Sequence, residues 1–252
     1  MHMYVCMYVC MYVCMLVSCD RKPIKYIAHA GGSIDGYTYT NSLEAVNHAI
    51  ECGIEVVELD LCLTKDSVLV AAHDWSHFHK ISGYVGDTMP IMAADFCKRR
   101  IFGKYHPLTK DMIDSLMRQY PSLCLMTDKI SDPNVLCQFQ YRERIMVEAF
   151  SIDDYYKLDT MGYYKVFYSA SPISYQSVLR KWTKRVLHIK DEPIPTRYTF
   201  WLFGCGHGES ISDYYLGYGK EFAVFGVKSR HEADSIAALD RRIKYVYIDD
   251  VK

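Results

Sequence analysis

The sequence predicts an α/β fold in which strands and helices alternate around a parallel sheet, and three observations support this. Half of the 252 residues are apolar, which is enough for one large buried core. Short apolar runs alternate with stretches of helical periodicity, and strands connected through helices pair in parallel. The run that begins at residue 54 has the pattern of a strand with Glu58 and Asp60 on one face. This acidic face is expected to point into a barrel interior or into water.

We expect residues 1–19 to form a separate N-terminal segment and residues 20–252 to form a single domain. The segment contains three copies of Met-Tyr-Val-Cys, a period that fits neither a helix nor a strand but that repeated ATGT would encode. We interpret it as a gene-level repeat that makes expression phase-variable by frameshift. Two alternatives remain open. Residues 16–19 resemble a lipid-attachment box ending at Cys19, and translation could begin at Met15.

Charge and cysteine spacing narrow the class of protein. The net charge of −1 gives no general attraction to nucleic acid, so we expect no nucleic-acid partner. The cysteines after residue 20 include no C-x-x-C pair, which argues against a disulfide framework and favours a reducing, cytoplasmic location. A lipoprotein attached at Cys19 is the alternative. No later stretch reaches the roughly eighteen apolar residues of a membrane span, so we expect no transmembrane segment.

Strand and helix candidates follow one another along most of the chain. The strand candidates are the run from 54 and residues 24–28, 68–72, 123–127, 145–150, 165–169, 186–189, 222–226 and 245–248. The helix candidates are 42–52, 109–120, 151–161, 174–182 and 229–239, the last opening with a capping box. Nine strands exceed the eight of a closed barrel, and the loop between Asp60 and Val68 is too short for a helical crossover. Either one assignment is wrong or the barrel is irregular.

Two segments do not fit this alternation. Residues 75–106 look irregular, which is typical of an active-site loop or a small insertion. His77 and His79 in that segment could bind a metal, but solvated positions in an exposed loop are the simpler interpretation. Residues 190–221 have no assignment.

Polar side chains gather where the predicted strands end. His29 follows the first strand and precedes two glycines, the place where α/β barrels carry their chemistry. Glu58 and Asp60 lie on the next strand, and His73 follows the short strand after it. Asp128 shares a strand face with residues 124 and 126 and can join the other carboxylates. Carboxylate oxygens beside an imidazole suit a hard cation with an acid/base group next to it.

These residues resemble the glycerophosphodiester phosphodiesterase family. The family's H-R-G, P-E-N-T, E-x-D, T-K-D-G and H-D motifs match, in order, His29-x-Gly31, Asn41, Glu58-x-Asp60, Thr64-Lys65-Asp66 and His73-Asp74. The resemblance implies a TIM barrel, a divalent cation (Mg²⁺ or Ca²⁺) and cleavage of phosphodiesters. Carried over by position, it implies the acid–base pair His29 and His73, the metal ligands Glu58, Asp60 and Asp128, and the substrate contacts Asn41 and Lys129.

The sequence departs from the family pattern at several positions. Ala30 stands where the family has arginine, which removes a bidentate phosphate contact. Tyr39 and Thr40 replace Pro-Glu, and the third acid is the shorter Asp128. Glu148 is an alternative ligand, or else the partner of an arginine at 142 or 144. These departures indicate a divergent branch whose substrate differs from simple glycerophosphodiesters.

We therefore expect a metal-dependent phosphodiesterase that uses histidine acid–base catalysis. Its expected partner is a small glycerophosphodiester or a phosphodiester-linked glycan or lipid head group, which would place it in lipid or surface-polysaccharide metabolism. One alternative is a phospholipase D-like lyase, in which intramolecular attack leaves a cyclic phosphate. Another is a noncatalytic barrel that binds phosphodiesters without cleaving them, because a fold alone does not establish activity.

Overall fold

The structure is a computed structural model that describes residues 24–86, 89–168, 198–202, 221–238 and 243–252. Several predictions lie outside the described residues: the N-terminal repeat, the lipid-attachment site at Cys19, the helix at 174–182 and the strand at 186–189. These four stay predictions, as does the domain boundary at residue 20.

Eight parallel strands form a closed ring, which confirms the predicted α/β barrel. Nine strands are described, and all of them except β3 belong to the ring: β1 Lys25–Ala28, β2 Val56–Leu63, β3 Leu69–Ala71, β4 Cys124–Asp128, β5 Ile145–Ala149, β6 Lys165–Tyr168, β7 Tyr198–Leu202, β8 Glu221–Val227 and β9 Ile243–Ile248. The ring runs from β1 through β2, β4, β5, β6, β7, β8 and β9 and closes where β9 pairs with β1. All eight strands therefore point their carboxyl ends to the same end of the barrel.

The remaining strand, β3, explains the excess in the predicted strand count. It pairs antiparallel with the far end of β2, where Leu61 lies opposite Ala71. The loop that was too short for a helical crossover is thus a hairpin loop, and β3 stands outside the ring. The strand β7 lies in the segment 190–221, for which no structure was predicted.

Seven helices are described between these strands. They are α1 Leu43–Glu51, α2 Trp75–Ser82, α3 Ala93–Lys98, α4 Lys110–Gln119, α5 Pro133–Leu136, α6 Ile152–Asp159 and α7 Arg230–Ala237. The structure confirms the helices predicted at 42–52, 109–120, 151–161 and 229–239. Each begins after a serine or threonine whose side-chain oxygen accepts a backbone N–H of the first turn, because the first N–H groups of a helix have no partner within it.

The prediction that residues 75–106 are irregular is wrong. They carry α2 and α3, which build a small apolar cluster of their own around Phe78, Ile81 and Phe96. His77 and His79 lie on α2 rather than in an exposed loop, and His79 is 5% exposed. Both helices are short, so too few apolar positions repeat for the helical period to show. The segment is a small insertion packed on β3, as one of the two interpretations expected.

Two apolar layers surround the barrel wall. Ile27, Val56, Met126 and Phe167, contributed by different strands, meet in a cluster that fills the barrel interior. Alternate residues of the same strands, such as Leu59, point outward into the larger cluster shared with the helices. Within the described ranges, no helix combines the length and the apolar composition that a membrane span requires.

Candidate active site

His29 leaves the end of β1 in a tight turn. Ala30 and the two glycines that follow have φ values of 48, 89 and 86°, all in the left-handed region. Position 32 requires glycine, because the Cβ of any other residue would lie 2.6 Å from Cγ1 of Val251. The turn directs the Ala30 N–H toward Glu58, whose Oε2 accepts it at 2.6 Å. The backbone beside His29 is thereby fastened to the first acidic residue of β2.

Three carboxylates form one cluster at the carboxyl end of the barrel. Glu58, Asp60 and Asp128 offer oxygens that all lie within 4.8 Å of one another. The alternation of side chains along β2 places the first two on one face, and the parallel register sets Asp60 directly opposite Asp128 on β4. Glu58 and Asp60 are each 1% exposed. The structure therefore brings together the three residues that the resemblance gave as metal ligands.

Asn41 holds the middle carboxylate of this cluster. Its Nδ2 donates to Asp60 Oδ2 at 2.9 Å, and its Oδ1 accepts the backbone N–H of Asp60 at 3.0 Å. Asn41 is itself buried and has a φ of 49°. Both ends of the amide contact Asp60, so the described contacts of Asn41 position a carboxylate. Its predicted contact with substrate stays a prediction.

The buried carboxylates carry more negative charge than their surroundings neutralise. Burial raises the pKa of Glu58 well above its usual range, and repulsion from Asp60 and Asp128 raises it further. Burial also raises the pKa of Asp60, against the hydrogen bond from Asn41. Oε1 of Glu58 is buried and has no hydrogen-bond partner among the described residues. A set of hard oxygen atoms with an unpaired buried oxygen fits a divalent cation.

Lys129 is the cation beside this cluster. Its Nζ lies 3.2 Å from Oδ2 of Asp128 and 3.7 Å from Oδ1 of Asp60. In a continuing strand Lys129 would face away from Asp128, but β4 ends at Asp128 and Lys129 has a φ of 70°. This left-handed residue turns the side chain back toward the acids. Lys129 therefore lies within reach of an anion bound over the cluster.

Each of the two predicted catalytic histidines has a carboxylate on the same ring nitrogen. Nδ1 of His29 lies 2.9 Å from Oδ1 of Asp249, which directly follows β9. Nδ1 of His73 lies 2.7 Å from Oδ2 of its neighbour Asp74. A carboxylate at Nδ1 favours the tautomer protonated there, which leaves Nε2 as a proton acceptor. Both imidazoles are thus arranged for acid–base chemistry at Nε2.

Tyr39 lies between these two imidazoles. Its ring centroid is 4.6 Å from that of His29 and 5.6 Å from that of His73, and both contacts are edge-on. The two imidazoles are therefore no farther apart than these two contacts taken together. The ring centroid of His77 lies 5.6 Å from that of His73, and burial lowers the pKa of His77. Successive ring contacts thus link His29, Tyr39, His73 and His77.

Sequence reasoning missed two residues of this arrangement. Asp249 was given no role from the sequence, and Tyr39 was named only as a departure from the family pattern. A signal for Asp249 was present, because an acid that directly follows the apolar strand 245–248 lies at the carboxyl end of a barrel. No comparable signal marks Tyr39, whose position depends on a left-handed backbone with a φ of 56°.

Comparison with known proteins agrees with this geometry. The sequence pattern of the "Glycerophosphoryl diester phosphodiesterase family" matches residues 29–88, which span the turn at His29, the E-x-D strand and His73. Over these residues the chain is similar to this family. Human "Lysophospholipase D GDPD1" is 40% identical over 50 residues, which is 20% of this chain and 15% of the human protein. This relative therefore shares only a short part of its length with the chain.

Solved structures of the family share the fold over almost the whole chain. A glycerophosphoryl diester phosphodiesterase from Parabacteroides distasonis superposes with a TM-score of 0.64 at 17% identity, over 92% of this chain and 84% of its own. A phosphodiesterase from Oleispira antarctica, in complex with the product sn-glycerol-3-phosphate, gives 0.63 at 17% identity over 89% and 92%. At such identities the similarity establishes the barrel and leaves the chemistry of this chain to its own residues.

Proposed function

We propose that this chain is a metal-dependent phosphodiesterase that hydrolyses a glycerophosphodiester or a related diester of a lipid head group or surface glycan. The observation that carries the proposal is the cluster of three carboxylates, two of them buried, beside two carboxylate-paired imidazoles. The family match supports the reaction class. The Oleispira antarctica relative, whose structure contains sn-glycerol-3-phosphate as product, supports a glycerol-type diester as the first substrate to try.

Glu58, Asp60 and Asp128 would hold Mg²⁺ or Ca²⁺, which would offset the charge of the phosphodiester and stabilise the charge that develops at phosphorus. One of the two imidazoles, His29 or His73, accepts a proton from the attacking water as the new P–O bond forms. The other donates a proton to the leaving alkoxide as its P–O bond breaks. Asp249 and Asp74 fix the ring orientations and stabilise whichever ring is protonated.

Hydrolysis of a panel of phosphodiesters tests the proposal. The panel contains glycerophosphocholine, glycerophosphoethanolamine, lysophosphatidylcholine and a glycerol-phosphate polymer, each assayed with Mg²⁺, with Ca²⁺ and with EDTA. We expect metal-dependent turnover that His29→Ala lowers by about 10²- to 10⁴-fold and Glu58→Ala abolishes. His231→Ala is the matched control, because His231 is exposed on α7. Turnover that survives both EDTA and His29→Ala would contradict the proposal.

Product analysis separates hydrolysis from its alternatives. Phosphorus NMR of a reaction in ¹⁸O-labelled water should show a phosphomonoester that carries the label, because the water oxygen becomes bonded to phosphorus. A cyclic phosphodiester without label would instead identify a lyase. Saturable substrate binding without any product, unchanged in His29→Ala, would identify a noncatalytic binding barrel.

A further inference from the structure

The proposed function requires groups that contact the phosphate, and the described residues supply few of them. The arginine of the family pattern is absent, and the Ala30 in its place is completely buried with its backbone N–H bonded to Glu58. Both the amide nitrogen and the amide oxygen of Asn41 are hydrogen-bonded to Asp60. Lys129 is the cation that contacts the cluster, and it already faces two carboxylates. The nonbridging oxygens of a bound diester therefore need another donor.

The phenol of Tyr39 is placed to be that donor. Its ring contacts both His29 and His73, so the side chain lies between the groups that move protons. Asp249, Asp60, Glu58 and Lys129 are near enough to act electrostatically on the hydroxyl, so it lies in the field of the acidic cluster and of the partner of His29. A diester bound over the cluster and beside both imidazoles would occupy the space next to this hydroxyl.

The hydroxyl of Tyr39 is also uncommitted. It has no hydrogen-bond partner among the described residues, whereas the hydroxyls of Tyr26 and Tyr105 each bond to an aspartate. A phenol is protonated at neutral pH, so its O–H is available as a donor. Tyr39 is also held in the left-handed region at a φ of 56°, which disfavours a bulky residue. Strain of this kind persists where surrounding contacts impose it, and it concentrates at functional sites.

We propose that Tyr39 contacts the substrate, with its hydroxyl donating a hydrogen bond to a nonbridging phosphate oxygen and its ring keeping the two imidazoles apart. The phenol partly replaces the arginine that the family pattern has at residue 30. It supplies one neutral donor instead of a charged fork, so it binds a phosphate less tightly and imposes less orientation. This inference rests on the proposed phosphodiesterase function and names one more group that recognises its substrate.

Tyr39→Phe tests the hydroxyl, and Tyr39→Leu tests the ring. A hydrogen bond to a charged group is worth roughly 10- to 100-fold in binding, so we expect kcat/KM of Tyr39→Phe to fall by about that factor. Competitive inhibition by inorganic phosphate should weaken by about the same factor. Tyr39→Leu should lower kcat beyond Tyr39→Phe and alter the pH–rate profile, because the imidazoles lose their spacer. Tyr156→Phe, on the exposed face of α6, is the control and should leave every value unchanged.

The outcomes separate this inference from the proposed function. If the wild type hydrolyses none of the diesters, the proposed function fails, and calorimetric titration of inorganic phosphate in the presence of Mg²⁺ then tests Tyr39 alone. Weaker phosphate binding by Tyr39→Phe than by wild type, at equal melting temperature, supports the contact. Unchanged kinetics and unchanged phosphate binding in Tyr39→Phe, or no phosphate binding by the wild type, would overturn it.

Discussion

Replacing Glu58 by glutamine should stabilise the protein without metal and destabilise it, relative to wild type, with metal. The glutamine has the same shape, and its Oε1 can still accept the N–H that Ala30 now donates to the carboxylate. What the change removes is one negative charge from a cluster whose oxygens lie within 4.8 Å of each other. At that distance two unit charges repel by about 3.5 kcal/mol at an effective dielectric constant of about 20.

The sign of the effect in the absence of metal follows from the raised pKa of Glu58, which burial and then Asp60 cause. Below the ordinary pKa of a glutamate, near 4.3, the folded and unfolded chains are both protonated and the residue carries no penalty. As the pH rises above it, the unfolded chain releases its proton freely, whereas the folded chain must either retain the proton or ionise against the repulsion of the cluster, so the free energy of unfolding falls. Glu58→Gln should therefore raise metal-free stability at pH 7.5, and the gain should shrink toward pH 4.5.

The effects of Glu58→Gln on the melting temperature without and with metal are both large enough to measure, and they have opposite signs. Removing the repulsion between Glu58 and one neighbouring carboxylate, ~2–3 kcal/mol, corresponds to a Tm gain of roughly 5–10 °C for a domain of this size. Saturating Mg²⁺ at about 1,000 times its Kd stabilises wild type by about 4.1 kcal/mol, roughly 8–15 °C, and the variant should lose most of this gain. The order of the two melting temperatures should thus reverse between EDTA and Mg²⁺.

Thermal melting by fluorescence or circular dichroism measures these differences in stability. Each variant is melted at pH 7.5 and 4.5, with EDTA or with Mg²⁺. Glu143→Gln is the control, because the Glu143 side chain is 67% exposed and should show neither effect. If the variant melts no higher than wild type in EDTA at pH 7.5, the repulsion calculated for the cluster is wrong. If Mg²⁺ raises both melting temperatures equally, the cation does not bind at Glu58.

Three further predictions address neighbouring residues. Asp249→Asn should lower kcat by roughly 10²-fold in steady-state kinetics and leave the Mg²⁺-induced Tm shift intact. The substitution removes the negative charge that orients His29 and stabilises its protonated form. An unchanged kcat would exclude that role. Lys129→Met should raise KM about tenfold with a smaller change in kcat, since its ammonium group lies beside the carboxylates over which we propose that the diester binds. An unchanged or lower KM would contradict this. Gly32→Ala should cost about 2–4 kcal/mol in urea unfolding, because its Cβ would strike Val251 at 2.6 Å, and a loss below about 0.5 kcal/mol would show that the turn adapts.

The acidic cluster was predictable because it depends on local regularities. Side chains alternate along a strand, so the pair Glu58 and Asp60 had to share a face. Parallel strands of a barrel end at the same edge, so an acid at the end of a following strand had to lie near them, and Asp128 does. Neither inference needs knowledge of distant contacts. The same rules would have placed Asp249 beside His29 had they been applied to the last strand.

The insertion after β3 was not predictable by the same means. Helix α2 spans only Trp75–Ser82, which is about two turns, and such a segment shows too little of its period to distinguish it from a loop. Its capping residues were readable nevertheless. Asp74 accepts the N–H of His77, and Gly83 ends the helix in the left-handed region. Capping residues give more information than periodicity when helices are this short.

The backbone of the site could not be inferred from local sequence at all. Of the seven described non-glycine residues with positive φ, four lie at the site, namely Ala30, Tyr39, Asn41 and Lys129. Local preference disfavours this conformation by about 1–2 kcal/mol per residue, so tertiary contacts must hold it. In three of the four the contact is a carboxylate of the cluster: Glu58 accepts from Ala30, Asp60 pairs with Asn41, and Asp128 accepts from Lys129.

The carboxylates that fit a cation therefore also hold the strained loops that carry the rest of the site. Each aspartate or glutamate uses one oxygen for the loop and keeps another for the cluster, as Glu58 does with its Oε2 bonded to Ala30 and its Oε1 unpaired. Positive charge placed among these oxygens would let all three carboxylates stay ionised, and ionised carboxylates are the stronger hydrogen-bond acceptors. Cation binding would thus be coupled to the positions of Ala30, Asn41 and Lys129 through the same side chains. An acid-to-amide change in the cluster should consequently disturb loop geometry as well as metal affinity.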